Sequence, residues 1–363
     1  MYKHLCLIIQ QFIRASSLDD ISVSRIHLIA GKGNLFLISL AVFSSLLCGF
    51  TSTNRANAQP VELQEILSID GFLSIADVAV GDDGSIYVGD QRNVALSKHD
   101  SLGKLIRQVG GQGRAPGEFI NGPHHLVLIE NTLIVSDQKG DGVLHYFDPD
   151  LNYIGSAQIS TLMDMDVASD KQLYLGITDN TTLSRYVSMY TPAEDQEIIF
   201  EIRDVYKHNL ENYFLLLAGH PEKIIVVFQF VNRIDLYDLS GRILNRLSVS
   251  ELSSRYQGRF MDMGKQSNLP DHIRESASYV PGGPMFTSAV LDHRGNLFLE
   301  HGDKIGDMPS RRSVYVMTLE GNEKGKFEMP PRTSLRYIDT TGYAYAAETM
   351  MESTMLKNIK SNI

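Results

Sequence analysis

Six side chains in this chain have the chemistry to hold or transform a ligand: Arg92, His124, Asp164, Asp166, His301 and Arg336. Imidazole and carboxylate groups are common protein ligands of zinc and calcium. Guanidinium and imidazole groups are the usual partners of acidic substrates. The six lie far apart in sequence, so they act together only if the fold gathers them at one place. His124 is followed by His125, and alternation along a strand lets at most one of the two face a common centre. The plainer reading of His124, which follows Pro123, is a solvated or turn-bound imidazole. Asp164 and Asp166 are spaced to share one strand face, as a carboxylate pair requires. No Ser-His-Asp arrangement stands at recognisable spacing. The run Gly110-Gly111-Gln112-Gly113 falls between strands and not at the start of a helix, which argues against nucleotide binding.

The elements that would position these residues are legible as a repeat. Asp77-Val78-Ala79-Val80-Gly81-Asp82-Asp83-Gly84-Ser85-Ile86-Tyr87-Val88-Gly89-Asp90 joins two apolar runs through an Asp/Gly turn and closes on an Asp, the pattern of a β-hairpin. The turn and second strand recur near residues 130–135, 170–175, 221–226, 294–299 and 341–345. Six copies over residues 59–363 leave about 51 residues per unit, the size of a four-stranded blade with its loops. The expected fold is therefore all-β, a six-bladed β-propeller of four-stranded antiparallel blades. The last unit ends one strand short, while residues 61–69 form an orphan strand, so an N-terminal strand is expected to close the ring. Loops that lead into the inner strands, and loops that join strands two and three, would then share one face. That arrangement would bring the six candidates to the mouth of the central channel. The recurring Asp at the end of strand two (Asp90, Asp137) reads better as a partner of turn amides than as a ligand.

Two stretches break the regularity. Residues 110–119 are a Gly/Pro-rich connector. Residues 250–284 are an insertion between blades four and five, read equally as a lid or a passive loop.

Residues 35–50 are a continuous apolar stretch of 16 residues, preceded by Arg25, His27 and Lys32 and followed by Ala56-Asn57-Ala58. This reads as a signal peptide with a long lead-in (residues 1–58), cut before Gln59. As a helix the stretch spans roughly 24 Å against the ~30 Å hydrocarbon core, so an uncleaved anchor is the alternative. Both cysteines, Cys6 and Cys48, lie in the removed segment, which leaves the propeller without a thiol. Cleavage leaves 28 basic and 41 acidic residues, a formal charge of −13. Such a surface repels phosphate backbones, and no nucleic-acid partner is expected. The expected state is a periplasmic or extracellular monomer without a membrane span, binding an unidentified protein or small molecule.

Residues 77–80, Gly84-Ser85-Ile86-Tyr87-Val88-Gly89-Asp90 and Gly103-Lys104-Leu105-Ile106-Arg107-Gln108-Val109-Gly110 resemble an NHL repeat, with residues 113–119 as its connector. The likeness is strongest over residues 75–119. The whole of residues 59–363 resembles the secreted bacterial six-bladed propellers related to that repeat, most of which have no assigned activity. The expected function is that of a ligand- or protein-binding scaffold, with no cofactor. Pro123-His124 is also similar to peptidyl-amidoglycolate lyases, which carry a zinc-binding His at that place. The corresponding inner strands here offer Asp164 or Asp166, and Met285-Phe286, and Ile75-Ala76 stands where those lyases have an Arg. Lactonase-type propellers carry a calcium-binding Glu on the first inner strand, and residues 74–80 contain none. The alternative function is a metal-dependent lyase or hydrolase at the channel mouth, with Zn or Ca held by His124 and Asp164.

Overall fold

The computed structural model describes residues 9–10, 63–137, 142–159, 161–168, 171–179, 182, 184–191, 195–202, 206, 209–253, 259–260, 279–280, 284–302, 312–349 and 354–361. Most of the expected signal segment, including residues 35–50, and most of the 250–284 insertion lie outside these residues. Five four-stranded antiparallel sheets, and a sixth whose four blade strands also carry Ile9–Gln10, follow one another along the chain. Their inner strands are Ile75–Val80, Pro123–Ile129, Thr161–Val167, Phe214–His220, Phe286–Leu291 and Thr333–Ile338. Blade six is completed by Leu63–Phe72, which pairs antiparallel with Thr354–Ser361, so the ring closes with the N-terminal strand outermost. Ile9–Gln10 also pairs with Ala344 and Tyr343.

Each blade is built on local turn chemistry. In the blade-one hairpin, Gly84 takes φ +79°, which suits a residue without a Cβ. Asp83 Oδ1 accepts the Ser85 amide at 2.9 Å. The same device recurs at Asp100, Asp148, Asp238, Asp292 and Asp339, each accepting the amide two residues on. Six aspartates therefore serve to fix turns.

A second device ties each of the first two inner strands to its own sheet. Asp90 accepts the Leu73 and Ser74 amides, each at 2.8 Å, just before the blade-one inner strand begins. Asp137 accepts the Ile120 and Asn121 amides before the inner strand of blade two. The strand-end Asp of the repeat thus serves backbone amides.

The hydrophobic core is divided among the interfaces between blades. Ala79, Tyr87 and Leu96 of blade one pack on Leu126, Leu133 and Phe147 of blade two, with Phe119 of the connector fully buried among them. Equivalent clusters lie between blades two and three, three and four, four and five, five and six, and six and one. Burying apolar area between neighbouring sheets leaves the ring axis free of packing. That axis is the site considered next.

Candidate functional site: the central channel

A cavity of about 830 Å³ runs along the axis and is lined by the inner strands of all six blades. It reaches from residues near the starts of those strands, such as Leu162, to the hairpin turn at Asp339 and Thr340. His124, Asp164, Asp166 and Arg336 all line it. Arg92 and His301 are not part of its lining. Arg92 is exposed in the turn after blade-one strand two. The His301 ring meets the Met285 carbonyl oxygen at 2.8 Å through Nδ1.

Both His124 and His125 line the cavity. The pairing register shifts between Pro123 and Leu126, and this β-bulge breaks the two-residue alternation. The two rings meet edge to face with centroids 4.4 Å apart. Gly122 sets the approach, with φ +101° and the Gln91 carbonyl oxygen only 2.4 Å from where a Cβ would stand. His124 Nδ1 is buried without a hydrogen-bond partner. Burial, reinforced by the charges of His125 and Arg336, pulls the His124 pKa down to about 3. The ring is therefore neutral at ordinary pH.

The channel carboxylates are committed to the backbone. Asp164 accepts the amides of Met165 at 2.9 Å and Leu216 at 2.8 Å, and its Oδ1 also lies 3.1 Å from His125 Nδ1. Asp166 accepts the amides of Val167 and Ala218, each at 2.8 Å. Asp164 and Asp166 thus share a face, as their spacing implies, and both use it to join blade three to blade four. Asp77 plays the same part between blades one and two, accepting from Val78 and Leu126 at 2.8 Å each. Desolvation raises Asp77 and Asp164 to about 7 and Asp166 to about 6, against the lowering effect of those amides. Between blades five and six the tie is Glu300, which accepts from the Leu335 amide, the Ser334 hydroxyl and Arg312.

The cationic side of the lumen is Arg336 with Arg185. Arg185 is buried, with its guanidinium 5.6 Å from the Tyr213 ring centroid. Arg336 has a buried Nε without a hydrogen-bond partner. Its pKa is pushed down by desolvation, which the nearby charges of Glu300 and Asp77 partly offset. Asp77, Glu300 and Arg185 are absent from the sequence-derived set. Their partners lie on the next blade or on a neighbouring strand, and no local spacing marks them.

Among the described residues, no three His, Cys, Asp or Glu side chains group as metal ligands do. Of the two expected donors, Asp164 is already engaged by two amides and by His125.

Comparison with known proteins agrees with this architecture. The chain matches the model of the DUF5128 family, a 6-bladed beta-propeller, over residues 72–272, and it belongs to that family. No curated protein matches it in sequence. Among solved structures it is similar to a Bacteroides fragilis protein assigned as exported, with TM-score 0.54 and 10% identity, covering 86% of this chain and 98% of that one. It is also similar to a streptogramin B lyase, with TM-score 0.50 and 8% identity, covering 83% and 98%. A Bacteroides vulgatus member of the DUF4221 family gives TM-score 0.50 at 9% identity, covering 84% and 99%. At such identities the likeness extends to the fold. Among the described residues, no helix is long and apolar enough to cross a membrane.

Proposed function

We propose that this protein is an exported propeller that binds a small ligand in its central channel and acts as a binding scaffold without catalysis. The observation that carries the reading is an axial cavity in which Arg336 and His124 each have a buried nitrogen without a hydrogen-bond partner among the described residues. Its volume of about 830 Å³ lies within the range of small-molecule sites. The NHL-like repeat and the apolar segment at residues 35–50 support an exported binding module. So does the likeness in fold to an exported protein.

A thermal-shift screen of residues 59–363 against small polar compounds tests the reading. A ligand should raise the melting temperature of the native chain and raise that of Ser288→Phe, whose added ring narrows the lumen, by less. Equal stabilisation of both proteins would place binding elsewhere. Elemental analysis separates the competing class, a metal-dependent lyase or hydrolase. Stoichiometric zinc or calcium that disappears in His124→Ala would favour the enzyme.

A further inference from the structure

The channel's acceptors and donors are used unequally. Asp77, Asp164 and Asp166 each have both carboxyl oxygens bonded to backbone amides. Glu300 is fully buried and engaged by Arg312, Ser334, Thr287 and the Leu335 amide. These groups hold blades together and leave little acceptor capacity for a cationic guest. The donors are in the opposite position. Arg336 makes no hydrogen bond or ion pair with any described residue, and its Nε is buried. His124, close enough for the Arg336 charge to act on it, has a buried Nδ1 that is equally unpartnered. Both residues are only partly buried and both line the cavity. A buried guanidinium Nε without a hydrogen-bond partner is costly, and proteins retain such a group where a ligand completes it.

We infer that Arg336 and His124 form the docking point for an anionic oxo-group (carboxylate, phosphate or sulfate) carried by a small polar ligand in the channel. The inference rests on the channel-binding reading above and assigns its ligand class. Arg336 supplies the charge and the planar donor fork that oxyanions match. His124, neutral at ordinary pH, donates through its Nδ1–H tautomer. The rest of the cavity has room for a polar body beyond the anionic group.

Calorimetric titration of residues 59–363 with inorganic phosphate, sulfate, acetate and glucuronate tests this, with glucose as the neutral control. At least one anion should bind, and glucose should not. Affinity should fall about tenfold or more in Arg336→Gln, as expected for loss of a charge-assisted hydrogen bond, and recover in part in Arg336→Lys. His124→Gln should weaken binding less. Preference for glucuronate and acetate would identify a carboxylate ligand, and preference for phosphate or sulfate the other source. Undiminished affinity in Arg336→Gln would overturn the assignment. So would a channel in which only glucose or other uncharged compounds bind, and that result would leave channel binding itself standing. If neither anions nor neutral compounds bind, both readings fail.

Discussion

His125 Nδ1 lies 3.1 Å from Asp164 Oδ1, so a side-chain contact on the channel wall joins blade two to blade three. Asp164 passes the connection on, because its other oxygen accepts the Leu216 amide of blade four at 2.8 Å. One carboxylate therefore spans three consecutive blades. Asp164→Ala should leave buried amides unsatisfied and lower stability by about 1–3 kcal/mol. Asp164→Asn, which keeps one acceptor oxygen, should cost less. Urea unfolding of the three proteins checks the order.

Asp77 gives a prediction about pH. Its folded pKa, raised to about 7 by desolvation, lies above the usual value of 3.8. The native state thus holds a proton that the unfolded chain releases. The associated stability is present below about pH 4 and is lost as the pH rises to about 7. Asp77→Asn removes this dependence. The stability of the native protein relative to Asp77→Asn should therefore be greater at pH 5 than at pH 8, as measured by denaturation at both. His124, with its pKa lowered to about 3, contributes in the opposite sense, losing stability as the pH falls below its usual 6.5. For that reason the comparison with a single variant is more informative than the pH profile of the native protein alone.

Gly122→Ala tests how His124 is aimed. A Cβ at that position would lie 2.4 Å from the Gln91 carbonyl oxygen, at a φ of +101° that L-residues avoid. Stability should fall by about 1–3 kcal/mol. The His124 imidazole resonances should also shift in NMR spectra, since the backbone that leads into its strand must move.

Glu300→Ala removes the partner of Arg312 and the acceptor of the Leu335 amide. Breaking a fully buried ion pair costs about 3–5 kcal/mol. Arg312 keeps 24% side-chain exposure, so the expected loss is smaller, about 2–4 kcal/mol. Glu300→Gln should recover part of it. Thermal unfolding of both variants is the measurement.

The parts of this architecture that could be read in the sequence are those that local chemistry determines. Asp83-Gly84 announces its hairpin because the Asp carboxylate and the Gly backbone make the turn by themselves. The orphan strand near residues 61–69 and the short final unit were complementary, and Leu63–Phe72 does complete blade six. The channel was harder to read for three physical reasons. The bulge at Pro123–Leu126 brings the rings of two adjacent histidines within 4.4 Å of each other, which strict alternation does not allow. Asp77 bonds an amide 49 residues away, a partner that no spacing rule suggests. Glu300 sits on a second strand, yet its carboxylate reaches the inner strand of the next blade. Contacts between blades are set by the closed ring, and a linear pattern carries no record of them.

The seam at blade six has a consequence for how the molecule is made. Leu63–Phe72 is synthesised before any of blade one, yet its hydrogen-bonding partner is Thr354–Ser361. In blades one to five each described strand pairs with a neighbour close in sequence, so those five blades can form as the chain emerges. The sixth must wait with one strand unpartnered, and its ladder completes only after a loop of nearly the whole propeller has been closed. The entropy of that closure grows only with the logarithm of loop length, but contacts of this order are slow to form. During this interval a nascent chain carries two open strand edges and is most exposed to pairing with another copy of itself.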